Sequence, residues 1–273
     1  MLTAPPSTVS TPATGVLLPP HPLLGDYYAD EAGRLAQVRR WFDASAGNYD
    51  WVNTFMSFGS GVYYRTDALR RLGLGPGERL LDCGSGTGVI AAIAQGIVGT
   101  AGLVVALDPS SGMLAQARSR GVLNLVPGRA ERLPFADASF DRLTMGYALR
   151  HVADLGATFR EYRRVLAPGG SLLLLEITRP RSRFGCAALR LYMRTLVPLV
   201  TRWFRHSRDT AALMRYYWDT IEHCVPPETI LAALRAAGFE QVQRQAQLGV
   251  FSEYTALRPQ QDQTDKSLEM EQQ

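Results

Sequence analysis

From Val62 onward the chain alternates between amphipathic stretches of helical period and short continuous apolar runs. A helical stretch at Val62–Leu72 ends in Gly73 and Gly75-Pro76-Gly77. The run Arg79–Asp82 then reads as a strand opening into Gly84-Ser85-Gly86-Thr87-Gly88, followed by a helix over Val89–Val98. Next come a strand Leu103–Leu107, a helix Ser110–Arg118, strands at Val122–Val126 and Phe140–Met145, and a helix Leu155–Leu166. Pro168-Gly169-Gly170 launches a further strand, Ser171–Ile177. Apolar strands that do not alternate with polar residues are covered on both faces, and the helices between them make the strands parallel. The pattern predicts a doubly wound α/β fold with a mostly parallel, seven-stranded sheet.

Phe184–Ile221 interrupts this rhythm with a long helical segment rich in Arg and aromatic residues. It precedes a last helix at Pro227–Ala237, capped by Gly238, and two strands at Phe239–Gln245 and Gly249–Leu257. An insertion there, about 181–225, predicts a cap over the carboxyl edge of the sheet, where open α/β sheets bind ligands. Residues 1–20 are rich in Pro, Thr and Ser, and the tail 259–273 is polar, so both are expected to be disordered around one domain at 21–258.

Composition changes this picture little. A length of 273 residues, 46% hydrophobic and 20% charged, suits one folded domain and excludes collagen-like and disulfide-scaffold classes. Three cysteines without C-x-x-C spacing predict a reducing, cytoplasmic setting, and no apolar run is long enough for a membrane span. The four histidines lack ligand spacing, so no metal is expected. The charge of +4 is local: eight arginines and no acid lie between Arg179 and Arg208, while the remainder is slightly acidic. That favours an anionic surface over nucleic acid, which is not expected as a partner.

The chemistry concentrates at Asp82-Cys83-Gly84-Ser85-Gly86-Thr87-Gly88. Alternate glycines after a strand let the backbone turn tightly against a ligand, and the next helix offers its amino end. Asp108, at the tip of the following strand, is placed to accept ribose hydroxyls. A dinucleotide site would need Gly at position 89, which is Val. Glycines at 84, 86 and 88 behind Asp82 suit a nucleoside carrying an amino-acid group, so S-adenosylmethionine is favoured over NAD.

These residues resemble the S-adenosylmethionine methyltransferases of the ubiquinone/menaquinone C-methyltransferase family. The likeness spans about Trp41 to Leu257, through Phe42-Asp43, Tyr49-Asp50, Asn53 and Ser57-Phe58-Gly59, then Asp82 to Gly88, Ala130-Glu131, Ser139-Phe140-Asp141, Leu149-Arg150-His151-Val152 and Tyr162 to Gly170. It implies that Thr87 meets the cofactor carboxylate, Asp108 the ribose, Arg129 and Ala130 the adenine edge, and Gly146 the cofactor at the strand end. Met113 would either pack on the adenine or serve as a core methionine of its helix. The family reaction methylates a ring carbon beside a hydroxyl on a prenylated quinol, which needs a group that holds or takes the phenol proton.

Arg150 is expected to stabilise the phenolate, and His151, where the family has Asn, to accept the proton. Tyr49 and Asp50 are expected to fold over the cofactor from an N-terminal helix. Tyr216, Tyr217 and Trp218 could form an aromatic wall or be core. The Arg-rich cap, from Arg190 to Arg205, is expected to touch membrane lipid peripherally. An O-, N- or C-methyltransferase of another acceptor and a non-catalytic cofactor-binding homologue are the alternatives. The sequence leaves the oligomeric state open.

Overall fold

The computed structural model describes residues 17–56, 59–180, 182–205 and 208–260. The seven-stranded sheet has the order β3-β2-β1-β4-β5-β7-β6. Its members are β1 (Arg79–Cys83), β2 (Leu103–Asp108), β3 (Asn124–Pro127), β4 (Phe140–Gly146), β5 (Leu166–Ile177), β6 (Glu240–Gln247) and β7 (Phe251–Leu257). Strands β1 to β5 pair in parallel, and β7 runs antiparallel to both β5 and β6. The β1/β4 boundary, where the strand order reverses, is the position that leaves a crevice for ligands.

Sequence explains which strands lie inside. Leu172 to Leu175 in β5 are all buried, as a strand covered on both faces requires. The two edges are polar or interrupted: β6 carries Gln241, Gln243, Arg244 and Gln245, and β3 ends on Pro127, which has no N–H to offer.

Helices α3 (Val89–Val98), α4 (Ser111–Ser119), α5 (Leu155–Val165) and α9 (Pro227–Ala236) flank the sheet, and α2 (Gly61–Arg71) packs on α3. The helix starts are sequence-encoded. The Ser110 hydroxyl accepts from the Met113 amide at 3.1 Å, and Asp154 accepts from Gly156 and Ala157 at the head of α5.

The cap is built from the N-terminal helix and the insertion between β5 and α9. Helix α1 (Glu31–Met56) packs on α8 (Arg208–His223), beside α6 (Arg183–Arg190), a π-helical stretch Leu191–Leu196 and α7 (Val197–Arg205). The insertion runs without a break from Arg183 to Arg205, and the π-helical turn lies directly before Pro198, a residue with no N–H to give the helical ladder. Their shared core is aromatic: Tyr28, Trp41, Tyr216, Tyr217 and Trp218 are buried with Met193 and Val197.

The expected disordered arm extends too far. Residues 1–16 lie outside the described ones, but the Leu18 amide donates to Asp154 at 3.0 Å and the Leu18 carbonyl accepts from Leu155 at 2.9 Å. Pro20 accepts from Val225, and His21 is buried, so this short strap ties α5 to the end of α8. Of the tail, Pro259 and Gln260 are described; 261–273 lie outside.

Candidate active site

A cavity of about 780 Å³ opens along the carboxyl edge of the sheet, floored by β1, β2 and β4 and roofed by α1 and the cap. One end is the glycine turn. Gly84, Gly86 and Gly88 have φ of +66°, +55° and +77°. A Cβ on Gly84 would lie 2.7 Å from Ala148, and one on Gly88 2.8 Å from Ala117 and Val122. Gly84 and Gly86 line the cavity, whereas Gly88 lets α3 close against α4.

Two buried carboxylates face this end. Asp82 accepts from the Thr144 hydroxyl at 2.9 Å through Oδ1, while its buried Oδ2 has no hydrogen-bond partner among the described residues. Burial pushes its carboxyl up to about 7, against the Thr144 bond. Asp108 accepts the amides of Gly86 and Ser110, both at 2.8 Å, and burial raises it to about 6. Arg129, Ala130 and Gly146 also line the wall, with the Arg129 guanidinium paired to Glu131 at 3.2 Å.

The opposite end is walled by Phe42, Tyr49, Tyr64, Tyr147, His151, Tyr192, Tyr217 and Phe251, with Asn53 and Arg65. His151 stands among Phe42, Tyr216 and Tyr217, at 5.3, 5.7 and 5.5 Å between ring centres. Both ring nitrogens are buried and have no hydrogen-bond partner among the described residues. Burial, and then the positive charge of Arg150, push its pKa well below the ordinary value. The imidazole is therefore neutral at neutral pH, in the form that can accept a proton. Tyr49 and Tyr217 share a hydrogen bond between their hydroxyls.

Several expected contacts lie elsewhere. Arg150 is fully buried and absent from the cavity wall, with Nη1 2.5 Å from Glu176, itself 2% exposed. Its guanidinium lies 5.4 Å from the Tyr217 ring centre, so it braces that wall from behind. Asp50 is also off the wall: it accepts the Thr87 hydroxyl at 2.5 Å and pairs with Arg120. This bond occupies the Thr87 O–H that was expected to meet the cofactor carboxylate. Met113 is buried in α4 and does not line the cavity, which makes it a core methionine. Tyr217 lines the cavity, whereas Tyr216 and Trp218 are core. Ser57 and Phe58 lie outside the described residues.

Pattern reading missed Arg65, Tyr147 and the β6–β7 turn at Leu248 and Val250, all on the wall. The turn was findable: a strand antiparallel to β5 must begin at the ligand-binding edge.

A family model, the ubiE/COQ5 methyltransferase family, matches residues 30–258. This chain belongs to that family. A ubiquinone/menaquinone biosynthesis C-methyltransferase of Edwardsiella ictaluri is 36% identical, covering 78% of this chain and 85% of its own. A demethylmenaquinone methyltransferase of a Mycobacterium species (strain KMS) is 34% identical, covering 82% and 94%. Among solved structures, a SAM-dependent methyltransferase of Thermotoga maritima, described as a possible histamine N-methyltransferase, has a TM-score of 0.58 at 21% identity, covering 81% of this chain and 99% of its own. The [4+2]-cyclase SpnF also has a TM-score of 0.58, at 19% identity, covering 83% and 97%. A cyclase and a methyltransferase on one fold show that the fold alone does not choose the reaction.

The residues present fit the cofactor of such enzymes. The unpartnered Asp82 Oδ2 suits an ammonium, the glycine turn leaves room for the amino-acid chain, and Asp108 at the β2 tip suits ribose hydroxyls.

Proposed function

We propose that this protein transfers a methyl group from S-adenosylmethionine to a ring carbon beside a hydroxyl on a prenylated quinol. One observation carries the reading: a single cavity joins the carboxylate-and-glycine cradle to an aromatic chamber holding an unbonded, neutral imidazole. The names of the relatives in the quinone pathways support the same acceptor class.

When bound, S-adenosylmethionine supplies an electrophilic methyl carbon on a sulfonium. Asp82 and Asp108 anchor its two ends, and Gly146 lets Ile90 pack against the strand end, where a Cβ would lie 2.6 Å from that side chain. Phe42, Tyr64, Tyr217 and Phe251 hold a planar ring by its faces and edges. His151 takes the proton of the acceptor hydroxyl, directly or through water. The adjacent ring carbon, made electron-rich in this way, would be the nucleophile toward the methyl that the bound cofactor supplies, with the cofactor's thioether as the leaving group. The hydrogen on that carbon would then leave as a proton to water, which restores the aromatic ring, and the proton held by His151 would return to the oxygen.

The prenyl chain explains the cap. Leu189, Tyr192 and Met193 line the cavity, while Phe184, Leu191, Leu196, Leu199 and Trp203 on the same elements are exposed. Such a face beside Arg183 suits an anionic bilayer from which the head group is drawn. Fewer arginines are free there than the sequence suggests, since Arg190 pairs with Glu222 and Arg194 lies 3.7 Å from Asp219. The side chains of Arg202, Phe204 and Arg205 lie outside the described residues. Among the described residues no helix is long and apolar enough to cross a membrane.

The test is transfer of labelled methyl from S-adenosylmethionine to demethylmenaquinol or a polyprenyl benzoquinol, in anionic and in zwitterionic vesicles. Transfer to either quinol supports the reading, and faster transfer in anionic vesicles supports the surface. Tight cofactor binding with no transfer to either quinol refutes the acceptor.

A further inference from the structure

With Arg150 locked to Glu176, the chamber needs another cation beside the acceptor oxygen. Four arginines line the cavity: Arg34, Arg39, Arg65 and Arg129. Three are committed. Arg34 pairs with Glu31 at 2.6 Å and donates to the Val152 carbonyl at 3.0 Å. Arg39 lies 3.8 Å from Asp43, and Arg129 pairs with Glu131. Arg65 has no carboxylate partner among the described residues. Its Nη1 donates to the Gly61 carbonyl of its own helix at 2.8 Å, and the guanidinium lies over the Tyr147 ring, 4.9 Å from the centre.

Tyr147 itself is held in an unusual way. It follows Gly146 at the end of β4, and its φ of +61° is one that a tyrosine rarely adopts. Its amide donates to the Leu175 carbonyl at 2.7 Å, which fixes the turn. The left-handed conformation is strained for a tyrosine, and such strain concentrates at functional sites. Here it presents the ring to the cavity, next to the cofactor end at Gly146 and under Arg65. The charge of Arg65 is also felt on both sides: it opposes the rise in pKa that burial imposes on Tyr49, Tyr147 and Asp82.

We propose that Arg65, seated on Tyr147, is the residue that binds the acceptor oxygen as a phenolate. This rests on the quinol reading above. Removing the hydroxyl proton leaves one negative charge on that oxygen, and the unpaired guanidinium donates to it without giving up a proton, since arginine stays protonated. Tyr147 fixes the guanidinium through its ring, a positioning role. An opposite charge within reach raises the acidity of a bound phenol by about 10- to 1000-fold.

The experiment reads that acidity directly. 4-Nitro-1-naphthol, whose anion absorbs visible light, is titrated against pH while bound to the full-length wild type and to Arg65→Gln and Arg65→Lys variants. Methyl transfer to demethylmenaquinol is measured on the same samples. The bound naphthol should be at least about tenfold more acidic on wild type than on Arg65→Gln, with much of the effect restored by Arg65→Lys. Turnover in Arg65→Gln should fall about 100- to 1000-fold, while S-adenosylhomocysteine still binds. Equal acidity on wild type and Arg65→Gln, or no binding of the naphthol to wild type, overturns the role of Arg65. Wild type that transfers methyl to the quinol leaves the acceptor reading standing in that case. Wild type that transfers none overturns both.

Discussion

Replacing Asp82 by Asn should make the cofactor-free protein more stable at pH 8, and the gain should vanish in acid. Asp82 is 1% exposed, and burial raises its carboxyl from the ordinary 3.8 to about 7. That rise corresponds to about 4 kcal/mol, at about 1.4 kcal/mol for each tenfold change in acidity. The carboxylate therefore weakens the folded state wherever it is ionised. A group whose folded pKa is raised binds its proton in the native state before it does so unfolded, so this cost is absent near pH 4 and complete above about pH 7. Asparagine removes the charge and keeps the oxygen that accepts from Thr144, but its NH2 replaces the unpartnered Oδ2. An unsatisfied donor returns about 1–3 kcal/mol of the gain, leaving about 2 kcal/mol. For a domain of this size that is a rise in Tm of about 5 °C. Thermal melts of both proteins from pH 5 to pH 8, with and without S-adenosylmethionine, read the effect. The wild type should be stabilised by the cofactor and the Asn variant should not. A variant that melts lower than wild type at pH 8, or a difference that does not change with pH, would refute the reasoning.

Three further outcomes follow from the same geometry. His151→Asn should slow methyl transfer by about 10²–10⁴-fold; the wild-type rate should keep a flat profile near pH 7 and lose activity only well below the ordinary histidine pKa, because burial and Arg150 favour the neutral ring. An unchanged rate and profile in the variant would reduce His151 to a wall residue. Glu176→Gln should cost about 3–5 kcal/mol, since it leaves the fully buried Arg150 charge without its counter-ion, and chemical denaturation measures the loss. Asp50→Asn weakens the link between α1 and the glycine turn through Thr87 and Arg120. Calorimetry should show cofactor binding about tenfold weaker, the low end for a charge-assisted bond because the side chain is part-exposed, and unchanged affinity would leave the link purely structural.

The sheet was legible because a doubly covered strand can hardly be anything else. Predicted and observed spans of β1, β2, α3 and α9 differ by at most a residue at either end. The glycine turn was legible for a related reason: Gly84, Gly86 and Asp108 are placed by backbone conformation and strand ends, which sequence spacing specifies. The acceptor end depends instead on which way a side chain turns after the strand ends, and spacing does not carry that. The single turn Leu149–His151 sends Arg150 inward and His151 outward. A clue to the first was nonetheless present. Glu176 ends the apolar run Leu172–Leu175, and an acid buried there demands a cation. The adjacent Arg150 is that cation, so the prominence of the Arg-His pair reflects a structural ion pair as much as chemistry.

The same logic, applied to α1, separates residues that the motif Tyr49-Asp50 had joined. Side chains seven positions apart share a helix face. Phe42 and Tyr49 are such a pair, and both line the cavity. Asp43 and Asp50 are another, turned roughly 100° away. Asp43 accepts the Gly112 amide at 2.9 Å and the Ser110 hydroxyl at 2.6 Å, while Asp50 accepts the Thr87 hydroxyl. One stripe therefore lines the cavity and the adjoining stripe grips the glycine turn and the head of α4. Because α1 carries both, a displacement of this one helix would disturb the glycine turn and the aromatic wall together. Bisubstrate chemistry needs both in place: a chamber closed over a cofactor and an acceptor keeps water from the sulfonium carbon while the ring carbon approaches it.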